Sequence, residues 1–288
     1  MRPSEALPMF ATVARTYRLL WRHRLLHAKA IWPPVVFLVT AEFLYHRVIG
    51  TAHGMMDRLH AALAAPWYVL AGTAFAWLLG LKFLLSFSIS WRRHLLLREK
   101  FDPFFFKRPF WKYLAFLLLT YVWAIPVLAI SLVPALLLAT QRTSTGTGIN
   151  YAVLVLPVVA GVIILLAIIR QVPHFTVLAL GMRRPGWRHS VIAMRGIALR
   201  YATIWLMVML PIALLNLLLD FGLQLAHADP HRIPVALGES AFRQAMLFLH
   251  FSLGASLGAL TYVATLPDEP QPLPASQPIA PDLQALGA

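Results

Sequence analysis

The stretch YAVLVLPVVAGVIILLAIIR, residues 151–170, carries no charged side chain before its last residue. About 20 apolar residues are enough for a helix to cross a bilayer. Similar apolar runs occupy 31–49, 63–89, 113–139, 201–222 and 243–265. Across the chain 59% of residues are hydrophobic and 12% are charged, whereas about a quarter are charged in soluble domains. The sequence therefore predicts an all-α polytopic transmembrane bundle of about six spans.

The distribution of Lys and Arg predicts how this bundle is oriented. Cytoplasmic loops of membrane proteins carry an excess of these residues. Here they concentrate before the first span, in the 91–112 linker and between 170 and 200, while the alternate linkers hold few. We therefore expect both termini to be cytoplasmic. The same pattern accounts for the net charge of +14 without a nucleic-acid partner.

The N-terminal segment, residues 1–30, has the pattern of a basic amphipathic helix at the membrane interface. Its apolar face holds Phe10, Val13, Tyr17 and Leu20, and its basic face holds Arg15, Arg18 and Arg22. We expect the basic side to meet anionic lipid headgroups. A partner-binding helix has the same pattern, and a mitochondrial transit peptide is similarly basic.

Three regions follow from this patterning. Residues 1–30 form the interfacial helix, residues 31–266 form the six-span membrane domain, and residues 267–288 form a Pro-rich tail that we expect to be disordered. Residues 171–200 are predicted to make an elbow at the cytoplasmic surface. The absence of cysteine excludes disulfides, thiolate metal sites and Cys nucleophiles.

The linker SWRRHLLLREKFDPFFFKRPFW, residues 90–111, interleaves aromatic and basic side chains. We expect it to be a re-entry loop that fixes orientation, with Phe104, Phe105 and Phe106 dipping into the headgroup boundary. The predicted headgroup contacts are Trp91, Arg92, Arg93, Lys107, Arg108 and Trp111. Trp77 and Trp123 fall in mid-span, where we expect them to pack between helices.

Two stretches resemble a known group of proteins. SWRRHLLLREK, from Ser90, resembles a W-[HR]-R-x-x-L-L-x-E pattern, and the region from Arg170 to Leu206 resembles a basic helix that ends near Arg-Gly and enters the next span. Both are similar to uncharacterised multi-pass proteins of bacterial inner membranes, related to the membrane domain attached to some glycerophosphodiester phosphodiesterases. The chain departs from that pattern at Arg92, where His is common, and at Met194. The resemblance implies topology and a bacterial inner membrane, and it carries no catalytic residues.

Two ionisable residues, Glu42 and Lys82, lie nearest the middle of the predicted membrane. Lone charges there cost about 3 kcal/mol or more, and the depths of the two residues differ by only about 6 Å at 1.5 Å per residue. The sequence therefore predicts an intramembrane charge pair. Its role is either a structural bridge or part of an ion or proton pathway.

Three other patterns resemble functional features of known proteins. Gly254-Ala255-Ser256-Leu257-Gly258 matches G-x-S-x-G, but it lies in an apolar span, so we interpret it as close helix packing. An outer-side group resembles a loose metal-ligand cluster, and we expect it to be solvated instead; its members are His46, His53, Asp57, His60, Asp220, His227, Asp229 and His231. Pro126, Pro157 and Pro211 are expected to kink spans, as in transporters and in ordinary membrane helices.

No cofactor, metal or catalytic constellation is expected. The sequence favours a non-enzymatic membrane protein: an accessory, scaffold or lipid-organising component of a bacterial inner membrane. Its expected partners are anionic lipids and other membrane subunits. The alternatives are a small-solute or ion transporter or channel, and a membrane enzyme acting on lipid. A mitochondrial inner membrane is the alternative location.

Overall fold

The computed structural model describes residues 8–49, 66–142, 151–182, 186–226 and 233–265. These described residues form helices and no strand. The helices are α1 (Met9–Arg22), α2 (Arg24–Ile49), α3 (Trp67–Leu97), α4 (Arg108–Arg142), α5 (Tyr151–Ile169), α6 (Val172–Leu180), α7 (Trp187–Ala193), α8 (Ala198–Leu225) and α9 (Ile233–Thr265). The predicted tail, 267–288, lies outside the described residues.

Four segments within the described residues are long and apolar enough to cross a membrane: Leu70–Leu97, Val158–Leu180, Ala198–Leu225 and Ile233–Thr265. Their outward faces are apolar, as a helix surrounded by lipid requires. The all-α class is therefore confirmed for the described residues, and the four apolar helices support a membrane protein. The expected spans 31–49 and 113–139 fall within α2 and α4.

The chain divides into two compact units that are interleaved along the sequence. The first unit comprises residues 1–9, 106–204 and 258–288, and the second comprises residues 10–105 and 205–257. The N-terminal helix therefore packs as part of a larger unit, in which residues before and after position 30 are joined.

In the second unit, α1 packs through a face that differs from the predicted apolar face. The buried side chains of α1 are Thr12, Thr16 and Leu19, whereas Phe10 is 78% exposed. Thr16 satisfies its hydroxyl by donating to the Thr12 carbonyl at 2.8 Å. Small side chains such as these threonines allow a neighbouring helix to approach closely. The packed face of α1 is therefore the one with small side chains and not the most hydrophobic one.

Helices α2 and α3 run antiparallel in the second unit. The ring of Phe37 lies 5.8 Å from the ring of Phe83, edge to face. Beside them, a Cβ added to Gly80 would lie 2.8 Å from Leu38 Cδ2. Gly80 therefore gives α2 the space to pack directly against the α3 backbone.

In the first unit, the predicted elbow is built from α6 and α7. Aromatic rings of α4 and α6 pack together, with Phe116 and Phe175 centroids 5.1 Å apart. Helix α6 ends at Gly181, whose φ of 80° places it in the left-handed region, and its N–H donates to the Leu178 carbonyl. Glycine adopts this conformation without the steric penalty of a Cβ. The residues after α5 therefore form a buried, capped helix.

Two expectations about the middle of the spans are wrong. Trp77 is 75% exposed and Trp123 is 73% exposed, so neither side chain packs between helices. Both indoles project from helices whose neighbouring side chains also face outward. Helix α8 runs through Pro211, because a proline inside a helix removes one backbone hydrogen bond without necessarily ending the helix. The kink expected at Pro211 stays a prediction.

Candidate functional site

The most enclosed polar group of the second unit is centred on Trp91 of α3, which is fully buried. Its indole Nε1–H donates a hydrogen bond to Ser256 Oγ of α9 at 2.7 Å. Ser256 in turn donates to the Ser252 carbonyl at 2.9 Å. A buried indole N–H needs an acceptor, and α9 supplies one. We call Trp91, His23, His27, His94, Ser252 and Ser256 the His–Trp cluster.

His27 brings α2 into the His–Trp cluster. Its imidazole centroid lies 4.1 Å from that of Trp91, and its Nδ1 lies 3.4 Å from Ser252 Oγ. The Nε2 atom is buried and has no hydrogen-bond partner among the described residues. Burial, reinforced by His23 and His94, lowers the pKa of His27 to about 4. The imidazole is therefore neutral at physiological pH.

His23 and His94 complete the His–Trp cluster. Their ring centroids are 5.1 Å apart, edge to face, and His94 stacks on Trp91 at 5.5 Å. The Nδ1 atom of His94 lies 2.9 Å from the carbonyl oxygen of Glu99. Although three histidines meet here, no group of three His, Cys, Asp or Glu side chains in the described ranges has the geometry to hold a metal ion. The contacts are those of ring packing.

Phenylalanine rings surround the His–Trp cluster. Phe87 of α3 lies 5.6 Å from Phe248 of α9 and 5.2 Å from Phe101, which follows α3. All three side chains are buried. The polar atoms of the cluster therefore lie in an apolar surrounding, where a hydrogen bond is strengthened by the low dielectric and an unmade one is costly.

The G-x-S-x-G match lies inside α9 and takes part in this packing. Ser256 is fully buried and bonded to Trp91, and the position of a Cβ on Gly254 lies 3.7 Å from Met209 Cε. His250, the nearest histidine in sequence, instead packs against Trp205 at 5.9 Å. The arrangement joins helices, as the sequence predicted, and presents no exposed nucleophile.

The segment after α3 folds back along that helix. Arg98 ends α3 in the left-handed conformation, with φ of 55°. Ser90 Oγ then accepts from the backbone N–H of Asp102, and Ser86 Oγ donates to the carbonyl of Phe105, both at 2.7 Å. The predicted re-entry loop is therefore held by two serines of α3.

This folding corrects part of the predicted headgroup contact. Trp91 is fully buried and Arg92 is 6% exposed, with the Arg92 guanidinium donating to Ser88 Oγ. Phe105, expected in the headgroup boundary, is 4% exposed. These side chains face the interior because the folded-back segment and α9 cover the last turns of α3.

The remaining predicted headgroup contacts are more accessible. Arg93 Nε donates to Glu99 Oε2 at 2.7 Å, in an exposed ion pair. Lys107 and Arg108 are exposed, and Trp111 is 54% exposed. Contact of these four residues with headgroups stays a prediction.

Glu42 bonds side chains of α9, and Lys82 lies beside two aromatic rings. The Glu42 carboxylate accepts from Ser240 Oγ and, at 3.4 Å, from Gln244 Nε2, both on α9. Lys82 Nζ lies 5.3 Å from the ring centroid of Phe83 and 5.7 Å from that of Phe104. The Glu42–Lys82 pair stays a prediction to be measured.

Another ionic group of the second unit is centred on Arg243. Arg243 of α9 donates to Asp220 Oδ1 at 2.7 Å and to Glu239 Oε1 at 2.9 Å. Asp220, expected in the outer histidine group, is thus held by an arginine. The other members of that group lie outside the described residues, or have side chains that do.

Sequence reasoning missed the His–Trp cluster. The sequence does contain one indication of the cluster: His23 and His27 are four residues apart, a spacing that places two side chains on one helical face. That spacing does not indicate that Trp91 and Ser256, 165 residues apart in the chain, meet beside the two histidines.

No family model, no curated protein and no solved structure matches the chain. The resemblance to bacterial inner-membrane proteins therefore stays a prediction.

Proposed function

We propose that the chain is a non-enzymatic, multi-pass accessory or scaffold protein of a bacterial inner membrane, with six spans and both termini cytoplasmic. The topology is supported by the alternation of basic linkers. Four of the six proposed spans correspond to helices that are long and apolar enough to cross a membrane. The other two, 31–49 and 113–139, lie within the long helices α2 and α4.

One observation carries the scaffold role: the buried polar side chains of the second unit join one helix to another. Trp91 bonds Ser256, His27 contacts Ser252, and Glu42 bonds Ser240. A hydrogen bond between membrane helices contributes about 0.6–2 kcal/mol. Polar groups used in this way hold helices in register.

The spacing of these contacts gives the helices a defined alignment. His27 and Glu42 are 15 residues apart on α2, and their partners Ser252 and Ser240 are 12 residues apart on α9. At 1.5 Å per residue both separations are about 20 Å, so α2 and α9 are joined at two levels. A rigid frame of this kind suits a subunit that positions lipids or other membrane proteins.

An ion or solute pathway is the second candidate, and Glu42 favours it. A carboxylate between membrane helices, held by a hydroxyl and an amide, is a common element of ion and proton pathways. In that case Glu42 would change its proton or ion occupancy during transport, and α2 would move against α9.

Flux separates the two candidates. Purified chain reconstituted in liposomes should pass protons, Na⁺ and K⁺ no faster than empty liposomes. Flux that Glu42→Gln abolishes and Glu239→Gln retains would establish the pathway and overturn the scaffold proposal. Native purification from the membrane with mass spectrometry of bound proteins and lipids should recover a defined partner for a scaffold.

The proposed topology has a direct test because the chain has no cysteine. Single cysteines at Lys100 and Arg188 should react with a membrane-impermeant maleimide only from the cytoplasmic side, and a cysteine at Gly238 only from the opposite side. Labelling of all three positions from one side would contradict the six-span arrangement.

A further inference from the structure

The N-terminal part of the second unit presents a face that the bundle does not use. Helix α1 and the start of α2 pack inward through Thr12, Thr16, Leu19 and His27. Residues on the opposite side project outward, where no other described residue covers them. The composition of this outward face indicates its partner.

Bulky apolar side chains form the centre of this face. Phe10 is 78% exposed, Trp21 68%, Leu25 71% and Trp32 68%. Trp21 and Leu25 are four residues apart, and Leu25 and Trp32 are seven apart, so these three recur at helical spacing. We call Phe10, Trp21, Leu25 and Trp32 the outward stripe.

Basic side chains accompany the outward stripe. Arg18, Arg24 and Lys29 are exposed, and no acidic residue occurs between Glu5 and Glu42. The Arg24 guanidinium lies 4.7 Å from the Trp21 ring centroid, and its Nη1 donates to the Trp21 carbonyl. One cation is thus held directly over an exposed indole, which joins an apolar surface to a positive charge.

We propose that the outward stripe binds the surface of an anionic bilayer, with Trp21, Leu25 and Trp32 in the headgroup–acyl boundary and Arg18, Arg24 and Lys29 on lipid phosphates. The proposal rests on the proposed function, because it takes α2 to enter the membrane just after Trp32. It deepens that function by naming anionic phospholipid as the lipid that the protein recognises.

Charge and composition favour lipid over a protein partner. A second copy docked on this face would bring the same cations together, with no acid to offset them. Tryptophan is enriched where a helix meets the headgroup region, and a basic helix with Trp and Leu on its apolar face is typical of interfacial binding. Each basic residue near an anionic surface strengthens binding about fivefold, so three together contribute about a hundredfold.

The test uses the full chain reconstituted in vesicles, with Leu25→Cys carrying an environment-sensitive fluorophore. The label should emit at shorter wavelength, and be quenched more by shallow spin-labelled lipid, in vesicles of phosphatidylcholine mixed with the anionic lipid phosphatidylglycerol, because the negative surface attracts basic residues. In pure phosphatidylcholine both effects should weaken.

A matched pair of variants isolates the face. Replacing Arg18, Arg24 and Lys29 by Gln should abolish the dependence on anionic lipid. Replacing Lys100, Arg188 and Arg195, which are also exposed, by Gln removes the same charge and should preserve it. If both variants lose the dependence on anionic lipid equally, the effect comes from net charge alone, and the proposed site is wrong. A label that iodide quenches equally in both kinds of vesicle would mean that the face meets water, and would overturn the proposal.

Failure of the lipid-binding proposal can be distinguished from failure of the proposed function. Ion flux in liposomes would overturn the scaffold role while leaving the lipid dependence of the Leu25 label measurable. Conversely, a chain without flux and with a water-exposed label would retain the scaffold role and lose the lipid site.

Discussion

The indole of Trp91 and the hydroxyl of Ser256 meet in a 2.7 Å hydrogen bond although 165 residues separate them. Both side chains are fully buried, so removing either leaves the other without its partner. Trp91→Phe should lower the free energy of unfolding by about 2 kcal/mol, from the lost bond and the smaller ring. Thermal unfolding in detergent measures this. Trp111→Phe, at an exposed indole, should cost under about 0.5 kcal/mol, and equal losses would contradict the argument.

Close packing of α2 on α3 predicts a difference between two glycines. Gly80→Val should destabilise the chain by about 1 kcal/mol. A Cβ at Gly80 would lie 2.8 Å from Leu38 Cδ2, so the end of the Leu38 side chain must move to make room for the added methyl groups. Gly72→Val makes the same change in the same helix, where nothing lies within 4 Å of the added atom, and should be nearly neutral. Chemical denaturation of both variants checks the prediction. Valine has a higher helix propensity than glycine, so a loss at Gly72 as large as that at Gly80 would contradict the assignment of the effect to the Leu38 contact.

Acid should destabilise the second unit through His27. Burial, reinforced by His23 and His94, lowers the pKa of His27 from 6.5 to about 4, so the unfolded chain takes up this proton before the folded chain does. Stability is then constant above about pH 6.5 and falls as the pH drops toward 4. The loss at pH 5 is about 2 kcal/mol.

Comparing the unfolding free energies at pH 7.5 and pH 5 measures this effect. His27→Leu should remove about 2 kcal/mol of the difference. An unchanged pH dependence in His27→Leu would show that other groups carry the acid sensitivity.

The predicted charge pair can be measured by a double-mutant cycle. If Glu42 and Lys82 interact, Glu42→Gln and Lys82→Met should be non-additive by more than about 0.5 kcal/mol. Ser240→Ala should be coupled to Glu42→Gln in the same way, because Ser240 donates to the Glu42 carboxylate. If the stability effects of Glu42→Gln and Lys82→Met add, while Glu42 and Ser240 remain coupled, then the Glu42 carboxylate interacts with its α9 partners and not with Lys82.

The basic residues of the re-entry loop should separate into two kinds. Arg92→Gln removes a guanidinium that is buried and bonded to Ser88, and should lower stability by about 1–3 kcal/mol. Lys107→Gln with Arg108→Gln, at exposed positions, should leave stability within about 0.5 kcal/mol and weaken orientation in a reporter-fusion assay. If the double variant keeps its orientation, Lys107 and Arg108 do not contribute to the topology.

Some of the architecture follows from local patterns that need no partner. Long apolar runs predict helices because a bilayer offers no hydrogen bonds to an open backbone, and the described segments are helical throughout these runs. The prediction that Gly254–Gly258 packs helices also follows locally, because a nucleophile elbow requires a strand that this span lacks.

Other features depend on which helices meet. The sequence placed Trp91 and Arg92 at headgroups because both follow an apolar run, but neighbouring segments cover them. It likewise placed Trp77 and Trp123 between helices because both lie in mid-span, but in the described part of the chain both indoles are largely exposed. The sequence does not indicate that α1 packs through Thr12, Thr16 and Leu19, because an apolar side chain avoids water equally well when it faces lipid.

The sequence alone determined that this chain is helical, membrane-embedded and asymmetric in charge, because those properties arise from the interaction of each segment with its solvent. The tertiary structure decided that His27, Trp91 and Ser256 form one buried cluster and that Glu42 bonds Ser240. Contacts between helices depend on shape and register, and in apolar helices many faces are equally hydrophobic. A polar partner in a distant helix therefore distinguishes one packing from another, and only the folded chain brings that partner into place.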